Sequence, residues 1–565
     1  MDKFDIANAL REAGLMLTIA GDNPYKARAY LKGASSVESL GESIETIIKE
    51  NRLTDIPGIG SSLAAQIEQL YKTGELPVLT KMREQLPPGV IELSQVPGMT
   101  LKRIELLSKE LSITTVDELE DACMKHRVCK VKGFGEKSEQ AILEGLRNQR
   151  STSKKALLLH ARPTAEQLVK YLRAALRSEQ VEIVGTVRRW HEVVDEIKVV
   201  VATDDADHLW QAVENFPLVV ELIEKSESVC RVKLVEGLIA EIVVVPNFHV
   251  ALVEHTGTPY HFNLLRERAK DNGIELTAEG MFKKGRKLAL KSESDVYLHL
   301  DLEPIPPELR EGDDEIQQAE SSFDDLIHIA DIQGMTHCHT TYSDGSYSIE
   351  EMALGAQKMG MKYITITDHS PAASYAGGLT LDRLKQQWDE IDRVQERVDI
   401  KILRGTESDI LADGRLDYPD HILEKFDIII ASVHNRFKLN HEQMTKRVLT
   451  CMKDPHFKVW GHPLGRLLLR REPIDCDVEK ILDAVAESNA AVEINGDPHR
   501  MDFEPRWVKA ARARGIKILI STDAHSLRDY RNLEFGVHLA RRAGVRRAEV
   551  LNALDLEDFR AAVCP

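Results

Sequence analysis

Tyr363-Ile364-Thr365-Ile366-Thr367-Asp368-His369 is a short, β-branched run that ends in two residues able to bind a metal ion. The pattern recurs. Strand-like Ile400–Arg404 leads to Gly405-Thr406-Glu407, and Ile428–Ser432 leads to His434. Val459–Trp460 leads to Gly461-His462-Pro463, and Lys517–Ile520 to Thr522-Asp523-Ala524-His525. Ala491–Ile494 is another such run, and His337-Cys338-His339 with Asp344 stands upstream. Amphipathic stretches separate the runs, so strands and helices alternate as in a parallel α/β barrel or sheet. Sites in such folds lie where strands end. Ligand-type residues stand at those ends here.

Residues two apart on a strand share a face, which pairs His337 with His339 and Asp523 with His525. Cys338 then faces away and packs. Imidazoles with carboxylates suit zinc, manganese or iron, and this number of ligands suits more than one ion. Ions about 3.5–4 Å apart clamp a phosphodiester and acidify water, so no Ser or Cys nucleophile is required. One histidine alone is more often a core or surface residue than a ligand. Nine ligand-type residues at successive strand ends argue against that bland reading.

Outward from this segment, 565 residues exceed what one hydrophobic core serves, and several domains are expected. No run approaches the roughly 20 apolar residues that span a bilayer. The opening Met1-Asp2-Lys3-Phe4-Asp5 carries acid where a signal peptide would be apolar, so a cytoplasmic, nucleoid-associated location is expected. Seven scattered cysteines give no disulfide framework and fit a reducing compartment. The net charge of −17 does not exclude nucleic acid, because Lys125–Lys155 forms a local basic patch.

The first 150 or so residues have helical periodicity and few β-branched runs. Three Gly-centred turns punctuate them: Pro57-Gly58-Ile59-Gly60, Pro97-Gly98-Met99-Thr100 and Lys132-Gly133-Phe134-Gly135. Such turns between helices expose N–H groups that hold a DNA phosphate without reading sequence. Gly58, Gly60, Gly98, Gly133, Gly135, Lys132 and Lys137 are the candidate DNA contacts, although Thr100 replaces the later Gly of the second turn. The predicted division is a small helical domain at 1–80, a fingers-like helical domain at 81–150, a palm-like domain at 151–235 and a thumb-like domain at 236–302. A Pro- and acid-rich linker at 303–328 and the metal-binding domain at 329–565 complete it.

At the ligand residues the chain resembles the PHP (polymerase and histidinol phosphatase) domain family, through His337-x-His339, Asp344, His369, Glu407, His434, His462 and Asp523-x-His525. The resemblance implies a distorted (β/α)7 barrel and three divalent ions, Mn²⁺, Zn²⁺ or Fe²⁺, held by all nine residues. It implies further that Glu407 bridges two ions. Asp523, His525, Glu407 and His339 are the expected catalytic set, and Arg436, His499 and Arg500 are expected to bind substrate phosphate.

The first 320 or so residues resemble family X DNA polymerases of the polymerase-beta class, with helix-hairpin-helix turns. Gly185-Thr186-Val187-Arg188-Arg189 is similar to the triphosphate-binding Gly-Ser-x-Arg-Arg signature, and Thr256-Gly257-Thr258 with Asn263 and Arg266 to thumb elements. The whole chain thus resembles the bacterial PolX family. By that resemblance two Mg²⁺ ions would be held by three aspartates, but their positions fall at Glu196, Lys198 and Glu241. A cation at Lys198 repels the ions a carboxylate should bridge, and Asp195 points to the opposite strand face. Ser62 and Gln66 occupy the slots where a lyase amine would stand.

The expectation is a DNA-repair nuclease, 3′→5′ exonuclease with 3′-phosphatase and abasic-site activity by resemblance, acting on gapped, nicked or 3′-ended DNA with its polymerase site degenerate. The alternatives are an active gap-filling polymerase with a proofreading PHP domain, a small-molecule phosphatase of the histidinol-phosphate kind, and a non-catalytic DNA-end-binding module.

Overall fold

The computed structural model describes residues 3–38, 44–56, 58–87, 89–94, 96, 99–151, 155–488 and 490–563. They form two compact units, Met1–Ser153 and Lys154–Pro565.

Among the described residues the first unit is helical, and its helices share one core that includes Ile6, Leu10, Leu17, Ile67, Leu93, Ile104, Leu119 and Ile142. The first and third turns sit where the glycines foretold. Gly58 (φ 94°) and Gly133 (φ 102°) adopt the left-handed backbone that a Cβ resists. Gly60 caps helix Ser61–Thr73, Thr100 caps Leu101–Leu111, and Gly135 precedes Glu136–Ser151. Gly98 lies outside the described residues. At the third turn Lys132 and Lys137 are exposed, and Cβ atoms added at Gly133 or Gly135 would meet nothing within 4 Å. The buried carboxylate of Glu139 pins this turn, accepting from the Cys129 N–H (2.7 Å) and pairing with His126 (2.8 Å). Gln66, in the expected lyase slot, is hydrogen-bonded to the Tyr30 hydroxyl.

The second unit begins with a five-stranded sheet in the order Val181–Val184, Glu196–Val201, Ile239–Val244, Val229–Leu234, Val219–Lys225. The domain boundary expected at 235/236 cuts this sheet, because Ile239–Val244 pairs with strands on both sides. The thumb-like part follows from helix Phe248–Thr256 onward. The stretch read as a linker is folded in. Ile305, Leu309, Ala319, Phe323 and Leu326 lie in the same core as Val250 and Leu265. Its acids find partners from afar: Glu315 pairs with His261 at 2.7 Å, and Glu308 with His538 and Arg541, each at 2.7 Å.

Seven parallel strands then run in chain order around a barrel: Gly334–Cys338, Tyr363–Ile366, Lys401–Asp409, Ile428–Ser432, Val459–Trp460, Ala491–Asn495 and Lys517–Ser521. Helices follow the strands and bury their apolar faces on them, as Met352 and Ala356 do from Ile349–Lys358. The ring closes at its mouth, where His339 N–H donates to Ala524 O (2.8 Å) and Ala524 N–H donates to His337 O (3.0 Å). The distorted (β/α)7 barrel is thus the fold of this segment.

Candidate metal centre

All nine predicted ligands converge at the barrel mouth. Glu407 is at the centre: its Oε1 lies 2.8 Å from His462 Nε2, 3.0 Å from His434 Nε2 and 3.4 Å from His337 Nε2. Its Oε2 lies 2.9 Å from His369 Nδ1 and 3.5 Å from His339 Nε2. Asp523 Oδ1 faces His339 (3.2 Å) and His337 (3.6 Å), while Asp344 Oδ1 faces His525 (3.3 Å) and His369 (3.6 Å). Three overlapping groups result: His339, Asp344, His369, His525; His337, His339, Glu407, Asp523; and His369, Glu407, His434. His462 joins the last through Glu407 and through His434 Nε2 at 3.3 Å.

Local backbone explains the convergence differently from simple alternation. The first strand shifts register between Met335 and Cys338, and His337 has φ 57°, so a bulge rather than the pleat turns its ring inward. The last strand ends at Ser521, before Asp523 (φ 51°) and His525, which join different ligand groups. His462 is also strained, at φ 22°. Strained non-Gly backbone of this kind clusters at functional sites. Cys338 is fully buried in the core, as expected of a packing residue.

The chemistry of the pocket fits cations. Nε2 of His337 and His339, Nδ1 of His369, Asp344 Oδ1 and Glu407 Oε2 are buried and lack a hydrogen-bond partner. Each such orphan costs about 1–3 kcal/mol. Lone pairs aimed at one another in a dry pocket are offset by a divalent ion between them. Burial pushes the Glu407 carboxyl up, but His434, His369 and His337 outweigh it and hold it well below the carboxylate range. Burial lowers His434 and His525, yet their carboxylate neighbours raise each to about 10. His339, buried and beside two other imidazoles, falls to about 4.

Two supporting carboxylates, Glu493 and Asp409, escaped the sequence reading, and a third, Asp368, lies behind the ligands and not among them. Glu493 holds His337 Nδ1 at 2.5 Å and accepts from Ser521 Oγ (2.7 Å) and the His462 N–H (2.5 Å). Asp409 lies 3.4 Å from His434 Nδ1. Asp368 accepts from Thr340 N–H (2.8 Å) and Gln387 Nε2 (2.6 Å), fixing the loop that carries Asp344. The signal for Glu493 was a charged residue set among the apolar Ala491, Val492 and Ile494.

Of the predicted phosphate binders, Arg500 reaches the centre, with Nε 3.6 Å from Asp523 Oδ2. His499 turns to Asp497 Oδ1 (3.0 Å), and Arg436 is exposed with φ 56°. At the polymerase-like positions Gly185 (φ 66°) opens the short helix Gly185–Arg188. Thr186 lies on its first turn. Arg188 binds Glu293 at 2.6 Å, and Arg189 binds Glu311 at 3.0 Å. Lys198 and Glu241 are register partners on neighbouring strands and pair at 2.7 Å. Arg231 adds contacts to Glu196 (3.4 Å) and Glu241 (3.7 Å). Asp195 faces elsewhere, 69 % exposed beside Lys155.

Family models match four segments: a helix-hairpin-helix domain at residues 1–76, a SAM-like helix-hairpin-helix tandem at 90–148, a DNA polymerase beta thumb at 251–311 and a PHP domain at 336–497. The DNA polymerase/3′-5′ exonuclease PolX of Bacillus subtilis (strain 168) is 32% identical, over 99% of this chain and 99% of that protein. A probable phosphatase of Thermoanaerobacter sp. (strain X514) is 34% identical over 38% of this chain and 89% of its own length. One from Caldanaerobacter subterraneus subsp. tengcongensis is 31% identical over 38% and 85%.

Proposed function

The chain belongs to the bacterial PolX family, a polymerase-beta-like half joined to a PHP barrel, and on that premise we propose that it is a metal-dependent 3′→5′ exonuclease of DNA repair whose polymerase site no longer works. The observation that carries the reading is the meeting of nine ligand-type residues, most of them buried and several with orphaned lone pairs, at one barrel mouth. Divalent ions held there supply positive charge to a phosphodiester and make water acidic enough to attack it near neutral pH.

The three overlapping ligand groups support three ions. Glu407, shared by two groups, fits a bridging role, and His339, Asp523 and His525 flank the reacting phosphate with it. Arg500 holds a non-bridging phosphate oxygen. Manganese, zinc and iron all suit this donor set. The helix-hairpin-helix turns, with Lys132 and Lys137, hold the DNA backbone of gapped, nicked or 3′-ended substrates. The probable phosphatases aligned to the barrel favour 3′-phosphate removal as a second activity of the same site.

Loss of polymerase chemistry rests on Lys198. Its ammonium occupies the Glu241 carboxylate, and Arg231 engages Glu196, so the acids left are already neutralised. A lysine offers a metal no oxygen and repels it besides.

The deciding experiment digests 3′-labelled and 5′-labelled DNA with Mn²⁺, with EDTA and with Asp523→Ala. Nucleotides released from the 3′ end only, abolished by EDTA and by the substitution, are expected. Mn²⁺-independent release, or full activity of the variant, overturns the reading. Gap filling at a rate ordinary for family X overturns the polymerase part alone.

A further inference from the structure

Between His369 and helix Leu381–Gln395 the chain makes one short turn, Ser374–Ala376, beside the ligands. Its neighbours are fastened. Ala373 and Ala376 are buried, Ala372 N–H donates to Asp417 (2.6 Å), and Arg383 donates to Gly377 O (2.5 Å). Tyr375 between them is 56 % exposed. Its ring centroid stands 6.2 Å from that of His369 and 6.4 Å from that of His434.

Isolated exposed aromatics are common and need no account. This one differs by location. An exposed ring stands beside two imidazoles of the ligand cluster, at the centre that Arg500 reaches through Asp523. A nucleotide carries its base one sugar away from its phosphate, and aromatic rings bind bases of any identity by stacking. We propose that Tyr375 is the floor of a nucleobase subsite. The base of the 3′-terminal nucleotide stacks on its ring while the phosphodiester on that nucleotide's 5′ side lies among the nine ligands and Arg500. The subsite deepens the nuclease reading and rests on it. It implies that the barrel selects ends carrying a base over ends that lack one.

The test uses the full chain with Mn²⁺ and two oligonucleotides, one ending in an ordinary 3′ nucleotide and one in a 3′ abasic analogue. Tyr375→Ala should raise KM for the base-bearing end about tenfold, the scale of one stacking contact, with kcat nearly unchanged. KM for the abasic end should not move, and Tyr375→Phe and Tyr375→Trp should behave as wild type. An equal rise on both ends marks a structural role and overturns the proposal, as does an unchanged KM on the base-bearing end. If Tyr375→Ala unfolds, failure of the Phe and Trp variants to retain the base preference overturns it equally. A wild-type protein that releases nothing from either end sinks the nuclease reading itself, and the subsite with it.

Discussion

Glu493 never touches solvent, yet it sets the orientation of two ligands, gripping His337 by its ring and His462 by its backbone. A carboxylate behind a ligating imidazole fixes its tautomer and strengthens it as a donor. Glu493→Gln keeps the size and removes the charge. The Mn²⁺ concentration for half-maximal 3′-nucleotide release should rise about 10–100-fold, the usual cost of such a partner. An unchanged requirement would show that the strand alone holds His337. The nine candidate ligands were legible because most stand at the polar ends of apolar runs. Glu493 was not, since inside a strand it looks like a misplaced surface residue until His337 is seen beside it. Legible too was Lys198, where the family spacing demanded a carboxylate, although only coordinates show it seated on Glu241.

At the scale of elements, the five-stranded sheet is bolted to the barrel. Trp190 stacks on His538 at 3.7 Å between ring centroids, and Glu192, 16 % exposed, is gripped by Arg542 and, at 3.2 Å, by Arg466. Burial pushes Glu192 up, but Arg542 and Arg466 prevail and hold it at about 2 against an ordinary 4.5. Its folded pKa is thus depressed. The stability it contributes, roughly 3 kcal/mol, is present above pH 4.5 and lost as pH falls toward 2. Thermal unfolding of wild type against Glu192→Gln should differ most above pH 4.5 and converge in acid. Parallel curves throughout would refute the assignment. The same physics defeated the linker reading of 303–328. Acids and prolines resemble a solvated spacer in one dimension, but the histidines and the arginine that partner Glu308 and Glu315 come from distant segments.

For the whole molecule, affinity for DNA and chemistry on it are separable. Each phosphate contact contributes about 0.9 to the slope of log K against log salt. Lys132→Ala with Lys137→Ala should therefore weaken DNA binding and flatten that slope by about 2, leaving hydrolysis of a small phosphomonoester intact. A salt slope equal to wild type would exclude both lysines from the interface. Proton and metal compete for the same imidazole lone pairs, so Mn²⁺ affinity should climb with pH, because His434 and His525 are raised to about 10. Chelation should also lower the melting temperature of the barrel transition. Ions at a hundred times their Kd add about 2.7 kcal/mol, and a melting curve indifferent to EDTA would mean no ions were held.

The hydrogen bonds between Ala524 and the two flanking residues, His337 and His339, join the opening and closing staves of the cask. During synthesis, a ribosome that has not yet released residue 524 holds a string of donors with no vessel to gather them. A chain that stops short of residue 523 therefore lacks both the seam and two of the nine candidate donors, Asp523 and His525.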